Sequence, residues 1–594
     1  MKKRLLLGRG GAFLVAQGLL FGAAFSVNAA EIPASFPLSN LTIAVDQRAD
    51  ITIRGTVKDD KNQPLPGATI TVLGTSRGTV TDIDGKYTIT APENGQLVFS
   101  YLGFKAQTID VNARSILDVI LVEELASLNE FVVTSFGMAK EQKSLGYATT
   151  TIKADELIKA GTPNVATALY GKAPGVRIQA GAGGATSAVN ITVRGINSIT
   201  GRNQPLIILD GVPIRNEEVR NNDYWSDQRL RGNGLLDINP EDIDNISILK
   251  GASAAALYGS EAVNGVVLIT TKKGASGKKG FTVDFNANYS QDRIAYLPRY
   301  QNVRGPGGPS HVFNLGQNAE GFILYDGTTR GLPSTTINFG PEFDGQPIMS
   351  WDGQMRPYVA QKNNYAALFN SPVNSQVNVA VSNSTDVADF RLSLTRQDNE
   401  ALSLNSKNSK NIANLNSTFR ISKKFRTDLM INYINQNTDN RPISVDRMIN
   451  NFTGMMTRFD NGEWYLNRYQ TSRGYRFVTG NGQSLTPEEN IIRNGFLGDI
   501  ADYVWRVNKH RSSELSNRVI TSLTNHYQIT SDLSFRARLS TDFTNRYSED
   551  KRATERPLAF GPSGGFGMMN ENFNILYSDF MVTYRKQLAE DVTL

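Results

Sequence analysis

After Gly274 the chain reads in twos. Val283, Phe285, Ala287 and Tyr289 alternate with Thr282, Asp284, Asn286 and Asn288, so an extended segment here has one apolar and one polar face. The period returns at Val377, Val379 and Val381, at Phe390, Leu392 and Leu394, at Leu415 to Ile421 and at Thr427 to Tyr433. It returns again at Leu533 to Leu539 and at Leu576 to Tyr584. About eight such strands are expected, most of them near the ~10 residues that a tilted strand needs to cross a bilayer. Tight turns at Ser422-Lys423-Lys424 and Ser531-Asp532 contrast with long, irregular stretches at 291–372 and 437–517. A soluble sandwich also alternates. Strand length and one-sided loop length favour an antiparallel transmembrane β-barrel, because a compact domain rarely carries two loops longer than about 15 residues.

The 594 residues include no cysteine, so neither disulfides nor cysteine metal clusters hold the chain, and its length allows several domains. His311, His510 and His526 lack metal-type spacing, and neither a metal nor another cofactor is expected. The net charge of +6 is dispersed, without the basic stripe that marks a nucleic-acid partner. Nucleophile elbow, HExxH and paired-cysteine motifs are missing, so no catalytic residue is assigned and the chain does not read as an enzyme. Residues 1–30 read as a signal peptide: Lys2, Lys3 and Arg4 precede an apolar region from Ala12 to Phe25, with small residues at Ala29 and Ala30. No cysteine is available to anchor a lipoprotein, and no apolar run reaches the length of a membrane helix.

Residues 50–122 form a compact all-β module, with strands at Ile51–Val57, Ala68–Val72, Gly78–Thr81, Gly85–Thr90, Gln96–Tyr101 and Ile116–Leu121. Asp82, Asp84 and Gly85 make a hairpin turn, since the later ligands of a calcium loop are missing. Leu128 to Gly137, LNEFVVTSFG, is strand-forming sequence without an obvious partner; it is either an exposed strand open to edge pairing or the last strand of the preceding module. Residues 140–275 are mixed α/β. A helix after Thr162-Pro163 stops at Gly171, and strands lie at Ile191–Val193, Leu206–Leu209, Ile246–Leu249 and Val263–Thr271. Asp210-Gly211 is a turn at a strand end, and Gly181, Gly183 and Gly184 lack the ending of a phosphate loop. Val263 to Thr271 is apolar on both faces and needs protein all round it.

The run GTVKDDKNQPLPGATITV with GTVTDIDGKYTI resembles the carboxypeptidase-regulatory-like β-sandwich. Together with LNEFVVTSFG, ITVRGINSI, QPLIILDGVPI and LKGASAAALYGSEAVNGVVLITTKKG, it makes the chain resemble the TonB-linked outer-membrane transporters of the SusC/RagA type. The resemblance implies a multidomain fold: a small N-terminal β-sandwich, an α/β plug domain at 140–275, and the first part of an outer-membrane β-barrel at 281–594. Family barrels have about 22 strands, so the chain is expected to be an N-terminal fragment with an incomplete barrel. Glu130, Phe131, Val132, Val133 and Thr134 are implied as the TonB box within 128–137; Phe131 and Ser135 stand where the family more often has Val and Gly.

The implied setting is the outer membrane of a Gram-negative cell, with the N-terminal domains periplasmic or within the barrel. The implied partners are TonB with its inner-membrane energising complex, a SusD-like surface lipoprotein and outer-membrane lipid. The implied cargo is a large nutrient, oligosaccharide first and oligopeptide second. Trp225 in the plug and Trp351, Trp464 and Trp505 in the long loops are substrate-contact candidates, because an indole stacks on a sugar face. The alternative is a surface binding or adhesion protein without transport.

Overall fold

The computed structural model describes residues 50–593 apart from a few single positions and the segments 123–130, 134–138, 142–148, 157–164, 181–188, 197–202, 217–233, 251–257, 275–279, 309–315, 443–455, 478–497 and 590–591. The expected signal peptide, the Gly181–Gly184 run and Trp225 lie outside the described residues. Two compact units meet in sequence between Leu128 and Asn129.

In the first unit seven strands form two sheets: β1 (Asp50–Asp59), β2 (Thr69–Val72), β3 (Gly78–Val80), β4 (Lys86–Pro92), β5 (Gln96–Ser100), β6 (Gln107–Asp110) and β7 (Val119–Leu121). Their orders are β4-β1-β7 and β3-β2-β5-β6, with Ile53, Val57, Ile70, Leu97 and Phe99 buried between them. Sequence missed β6, in which Ile109 is the only apolar residue. Between β3 and β4, the Asp82 carboxylate accepts the N–H groups of Asp84 and Lys86, and Gly85 takes φ +72° with Val57 O 2.6 Å from where a Cβ would sit. Only glycine fits that turn.

The second unit opens with a two-stranded hairpin, β8 (Phe131–Val133) against β9 (Ala139–Glu141). The strand expected to lack a partner therefore has one a few residues downstream, because a local return satisfies its backbone at little cost in loop closure. The plug follows: β10 (Thr149–Lys153), α1 (Val165–Ala168), β11 (Val176–Ala180), β12 (Val189–Val193), β13 (Leu206–Leu209), β14 (Val212–Ile214), β15 (Ile243–Leu249) and β16 (Val266–Thr271). Five of these strands form one sheet, β10-β15-β16-β13-β14. Central β16 is buried along nearly its whole length, as an apolar run requires. It starts at Val266 rather than Val263, because Gly265 turns the chain at φ +93° and leaves Val263 53% exposed. Asp210 and Gly211 both take positive φ, 48° and 82°, and close the β13–β14 hairpin.

The rest is a wall. β17 (Gly280–Gln291) leads into a long connection that holds β18 (Ile323–Tyr325), β19 (Thr329–Gly331), β20 (Pro347–Met349) and β21 (Met355–Pro357). Then come β22 (Val373–Ser384), β23 (Ala388–Glu400), β24 (Lys407–Arg420), β25 (Phe425–Asp439), β26 (Arg511–Gln528), β27 (Leu533–Arg552) and β28 (Gly565–Tyr584). With β17 they make an eight-stranded antiparallel sheet in sequence order, with β17 and β28 at its edges. Turns at 385–387, 421–424 and 529–532 close one end; connections 292–372 and 440–510 rise from the other. Sequence missed β26 and placed its first residues in a loop, since Asn517 and Thr521 interrupt the apolar alternation of Leu515, Val519 and Leu523.

The wall is inside out for a soluble protein. Phe285, Leu394, Leu576, Phe580 and Val582 are exposed, whereas Asn378, Arg391, Lys410, Asn432, Arg518 and Asp542 on the opposite face are buried. Only a bilayer-facing sheet sets an apolar belt outward and polar residues inward. The two long connections, expected to be irregular, instead fold together. Four short strands, α2 (Gly462–Asn467) and α3 (Gly498–Lys509) pack around Trp351, Tyr365, Tyr465 and Val504, with a second cluster at Phe322, Ile348, Tyr358 and Phe459.

Candidate functional site

The inward face of the wall grips the plug through discrete polar links. Arg518 on β26 is 4% exposed; it bonds Asp542 on β27 at 2.7 and 2.8 Å and reaches Asp237 of the plug at 2.7 Å. The same guanidinium donates to Arg215 O (3.2 Å), and Asp542 accepts the N–H of Arg215 (3.0 Å), so one buried ion pair ties two plug segments to the wall. Lys410 on β24 donates to Leu236 O at 2.6 Å and stands 3.6 Å from Asp237. Arg391 on β23 lies 3.5 Å from Asp242, and Asn239 donates to Thr395 at 2.8 Å. Nearer the tight turns, Asn416 on β24 donates to Thr271 Oγ1 (2.9 Å) and Lys272 O (3.1 Å), and Arg538 on β27 donates to Gly211 O.

The plug carries its own apolar core, to which the wall adds Met430 and Ile520. Asp237 shows how the electrostatics are set. Burial alone would push its carboxyl up, but Lys410 and Arg518 outweigh that and hold it below the ordinary carboxylate range. At Asp210 burial wins: it pushes the carboxyl up although Thr271 donates to it twice and Lys273 and Arg538 pull the other way. Between β13 and β16 of the plug and β24 to β27 of the wall lies a cavity of about 170 Å³ lined by Asp210, Lys273, Arg426, Asp428, His526 and Arg536. A second, of about 300 Å³, sits near the long-loop ends of β25 to β28 and is lined by Arg441, Glu514 and Met569 among others.

Of the residues singled out from sequence, Phe131, Val132 and Val133 form β8, while Glu130, Thr134 and Trp225 lie outside the described residues. Trp351, Trp464 and Trp505 all fall in the folded loop body. Trp351 stacks on Tyr465 at 4.7 Å and 16° and is buried; Trp464 is half-buried with the Arg356 guanidinium 4.2 Å from its ring; Trp505 on α3 is fully buried. Sequence reasoning missed the charged residues that hold the plug. Their signal is parity: Arg391, Lys410, Arg518, Arg538 and Asp542 occupy the inward positions of strands whose alternate residues are apolar.

Comparison with known proteins matches these parts. The TonB-dependent Receptor Plug Domain family matches residues 141–266, and the CarboxypepD_reg-like domain matches residues 53–133. The chain is 37% identical over 254 residues to the TonB-dependent receptor SusC of Bacteroides thetaiotaomicron, covering 43% of this chain and 24% of that one. The chain is thus similar to the SusC/RagA-type TonB-dependent receptors. A second receptor, P26 of Formosa agariphila, is 31% identical over 383 residues, covering 64% of this chain and 34% of its own. Among solved structures, the RagAB peptide importer in its open-open state superposes with a TM-score of 0.55 at 17% identity, over 77% of this chain and 47% of that one, a likeness of fold. In each pairing the match spans less than half of the relative's length. Receptors of this family are outer-membrane β-barrels, and the exposed apolar belt places this wall in that membrane.

Proposed function

We propose that this receptor is the N-terminal part of an active importer that carries a large nutrient across the outer membrane, driven by TonB pulling on residues 130–134 and displacing the plug. The largely polar make-up of the plug–wall interface, to which Met430 and Ile520 are the wall's buried apolar contribution among the described residues, carries this reading. Discrete hydrogen bonds and ion pairs can be broken and remade against water, whereas a fused apolar core would have to be torn open. A strand is the handle that pulling requires, since a partner strand shares load over a row of backbone bonds. Residues 1–30 act as the export signal, 50–122 as an appended β-sandwich, 128–137 as the TonB-box region, 140–275 as the plug and 281–594 as the first part of the barrel. A SusD-like lipoprotein covers the long-loop side.

The cargo is an oligosaccharide before an oligopeptide. Supporting this, amide oxygens of Asn378, Asn399, Asn414 and Asn432 on the inner face are buried and accept no hydrogen bond among the described residues, which gives the lumen a neutral, hydroxyl-seeking character. The peptide importer among the fold neighbours is the ground for the second choice. The decisive variant is Val132→Pro, which removes a backbone donor from β8. Binding of the TonB C-terminal domain and cellular uptake of labelled oligosaccharides should fall at least about tenfold, equivalent to about 1.4 kcal/mol. Undiminished binding and uptake would rule out residues 130–134 as the handle.

A further inference from the structure

On the outward face of the wall, toward its long-loop side, the register lines up one row of amides across five neighbouring strands, with Leu515, Met568 and Phe566 as exposed apolar residues beyond it. Asn411 of β24 faces Asn435 of β25, which faces Asn517 of β26, then Asn545 of β27, then Asn572 of β28; Arg396 of β23 extends the row by one. These residues share the parity of the exposed Leu394, Tyr433, Phe543 and Leu576, so the row belongs to the bilayer face and not to the lumen. At about 4.8 Å per strand, Asn411 to Asn572 spans roughly 19 Å.

Neighbouring rungs touch. Arg396 donates to Asn411 at 3.0 Å, Asn435 to Asn517 at 2.8 Å and Asn545 to Asn572 at 2.7 Å. Each amide has two donors and an acceptor with two lone pairs, and one or two rungs do not use them all. One row toward the tight turns, Leu394, Ala413, Tyr433, Val519 and Phe543 lie in register with one another and with Asn574 of β28, so on β23 to β27 the face changes from hydrocarbon-like to amide-like within two residues. Asn is a poor strand former, and five of them in a single register row is not what strand packing selects.

We infer that this row is a docking surface for the saccharide headgroup of an outer-leaflet glycolipid. The belt below it fixes the occupant: whatever meets these amides is continuous with the acyl chains that cover Leu394, Val519 and Leu576. The chemistry selects among headgroups. A phospholipid headgroup presents acceptors and a cation but few hydroxyl donors, whereas a sugar with hydroxyl and amide groups both donates and accepts, as the amides do. The row has no acidic residue and carries charge only at Arg396, so its match is a largely neutral, hydroxyl-rich ring held by several modest hydrogen bonds. The inference is independent of which cargo the lumen carries.

The test uses the full chain in nanodiscs of phosphatidylcholine with and without a neutral diglycosyl glycolipid. Because the protein has no cysteine, Asn517→Cys gives a single site for a nitroxide label. With glycolipid present, the label's collision rate with a water-soluble relaxer should fall by at least about twofold, and the glycolipid that co-purifies with the unlabelled receptor should drop about fivefold in an Asn435→Ala, Asn517→Ala, Asn545→Ala variant, the scale of one lost hydrogen bond. Phospholipid retention should not change. Asn435→Ser with Asn517→Ser, which keeps hydroxyls on the row, should retain an intermediate amount and guards against misfolding as the cause. Equal glycolipid retention by the alanine variant would overturn the assignment. So would equal shielding of the label by the free headgroup disaccharide in solution, because the row would then be a soluble-sugar site.

Discussion

The plug and the loop body are held by opposite chemistry. The plug meets its wall through Arg518, Lys410, Arg391, Arg538 and Asn416, each contributing one to a few polar links. The loop body is knitted from two connections far apart in sequence by a stacked Trp351–Tyr465 pair and a fully buried Trp505, Tyr358 and Phe459. A polar interface exchanges one set of hydrogen bonds for another when it parts, while an aromatic core exposes its whole area to water. The difference teaches which joint parts at lower cost. It separates a polar, exchangeable joint from an apolar, fused one within one compact unit.

The largest effect should come from the loop body. Trp505→Ala removes the largest fully buried side chain and should cost about 3–5 kcal/mol. Hydrogen exchange should speed up across 456–477 and 498–510 while the wall strands stay protected. Reduced import with unchanged exchange would instead place Trp505 in cargo recognition and break the comparison. Next comes Arg518→Ala. It leaves Asp542 without its cation and Asp237 with Lys410 as its remaining close one, and losing one partner of a buried pair costs about 3 kcal/mol or more. Exchange should rise in the plug at 206–216 and 234–249. Replacing Arg518 by Met together with Asp542 by Leu should restore much of the protection, because that pair then leaves no unpaired charge behind and Asp237 keeps Lys410. If the double variant exchanged as fast as the single one, the link would be more than an ion pair.

Much of this was legible in the sequence, for physical reasons that differ by region. Alternation at Phe390 to Leu394 or Leu576 to Tyr584 is set by a belt that must be apolar on one face, so the strand and its orientation are both written locally. Central β16 announces itself because burial on both faces leaves no room for polar residues. The joints are not local. Arg458 donates to Gln301 O, to Asn302 and Asn364 side chains and to Gln361 O, and nothing in the sequence near Arg458 names those partners. The tie between Arg518 and Asp237 likewise spans 281 positions. The β8–β9 pairing escaped for a different reason: Ala139, Lys140 and Glu141 have little strand preference, and proximity along the chain decided the match.

A smaller effect sharpens the contrast within the plug joint. Asn416→Ala deletes two neutral hydrogen bonds, to Thr271 and Lys272 O, and should loosen the plug by about 1 kcal/mol. Exchange at the end of β16 should rise while the neck around Arg215 and Asp237 is unaffected. Equal loosening at both places would mean that the links are cooperative rather than discrete.

The smallest effect is in the pH dependence. Asp237 is held below its ordinary range, chiefly by Lys410 and Arg518 overcoming its burial, so the docked carboxyl binds a proton less readily than a free one. Its contribution to docking is therefore complete above about pH 4, the unperturbed value, and is lost as the pH falls through the docked value. Asp210 and Asp242 are pushed up by burial and slope the other way, weakening docking as the pH rises from about 4. Comparison with Asp237→Asn isolates the first term. Plug protection in the wild type should fall more steeply than in the variant on acidification from about pH 5 to pH 3. Parallel curves would mean that Asp237 is bound by geometry alone, and that the severable joint owes its strength to hydrogen bonds rather than to charge.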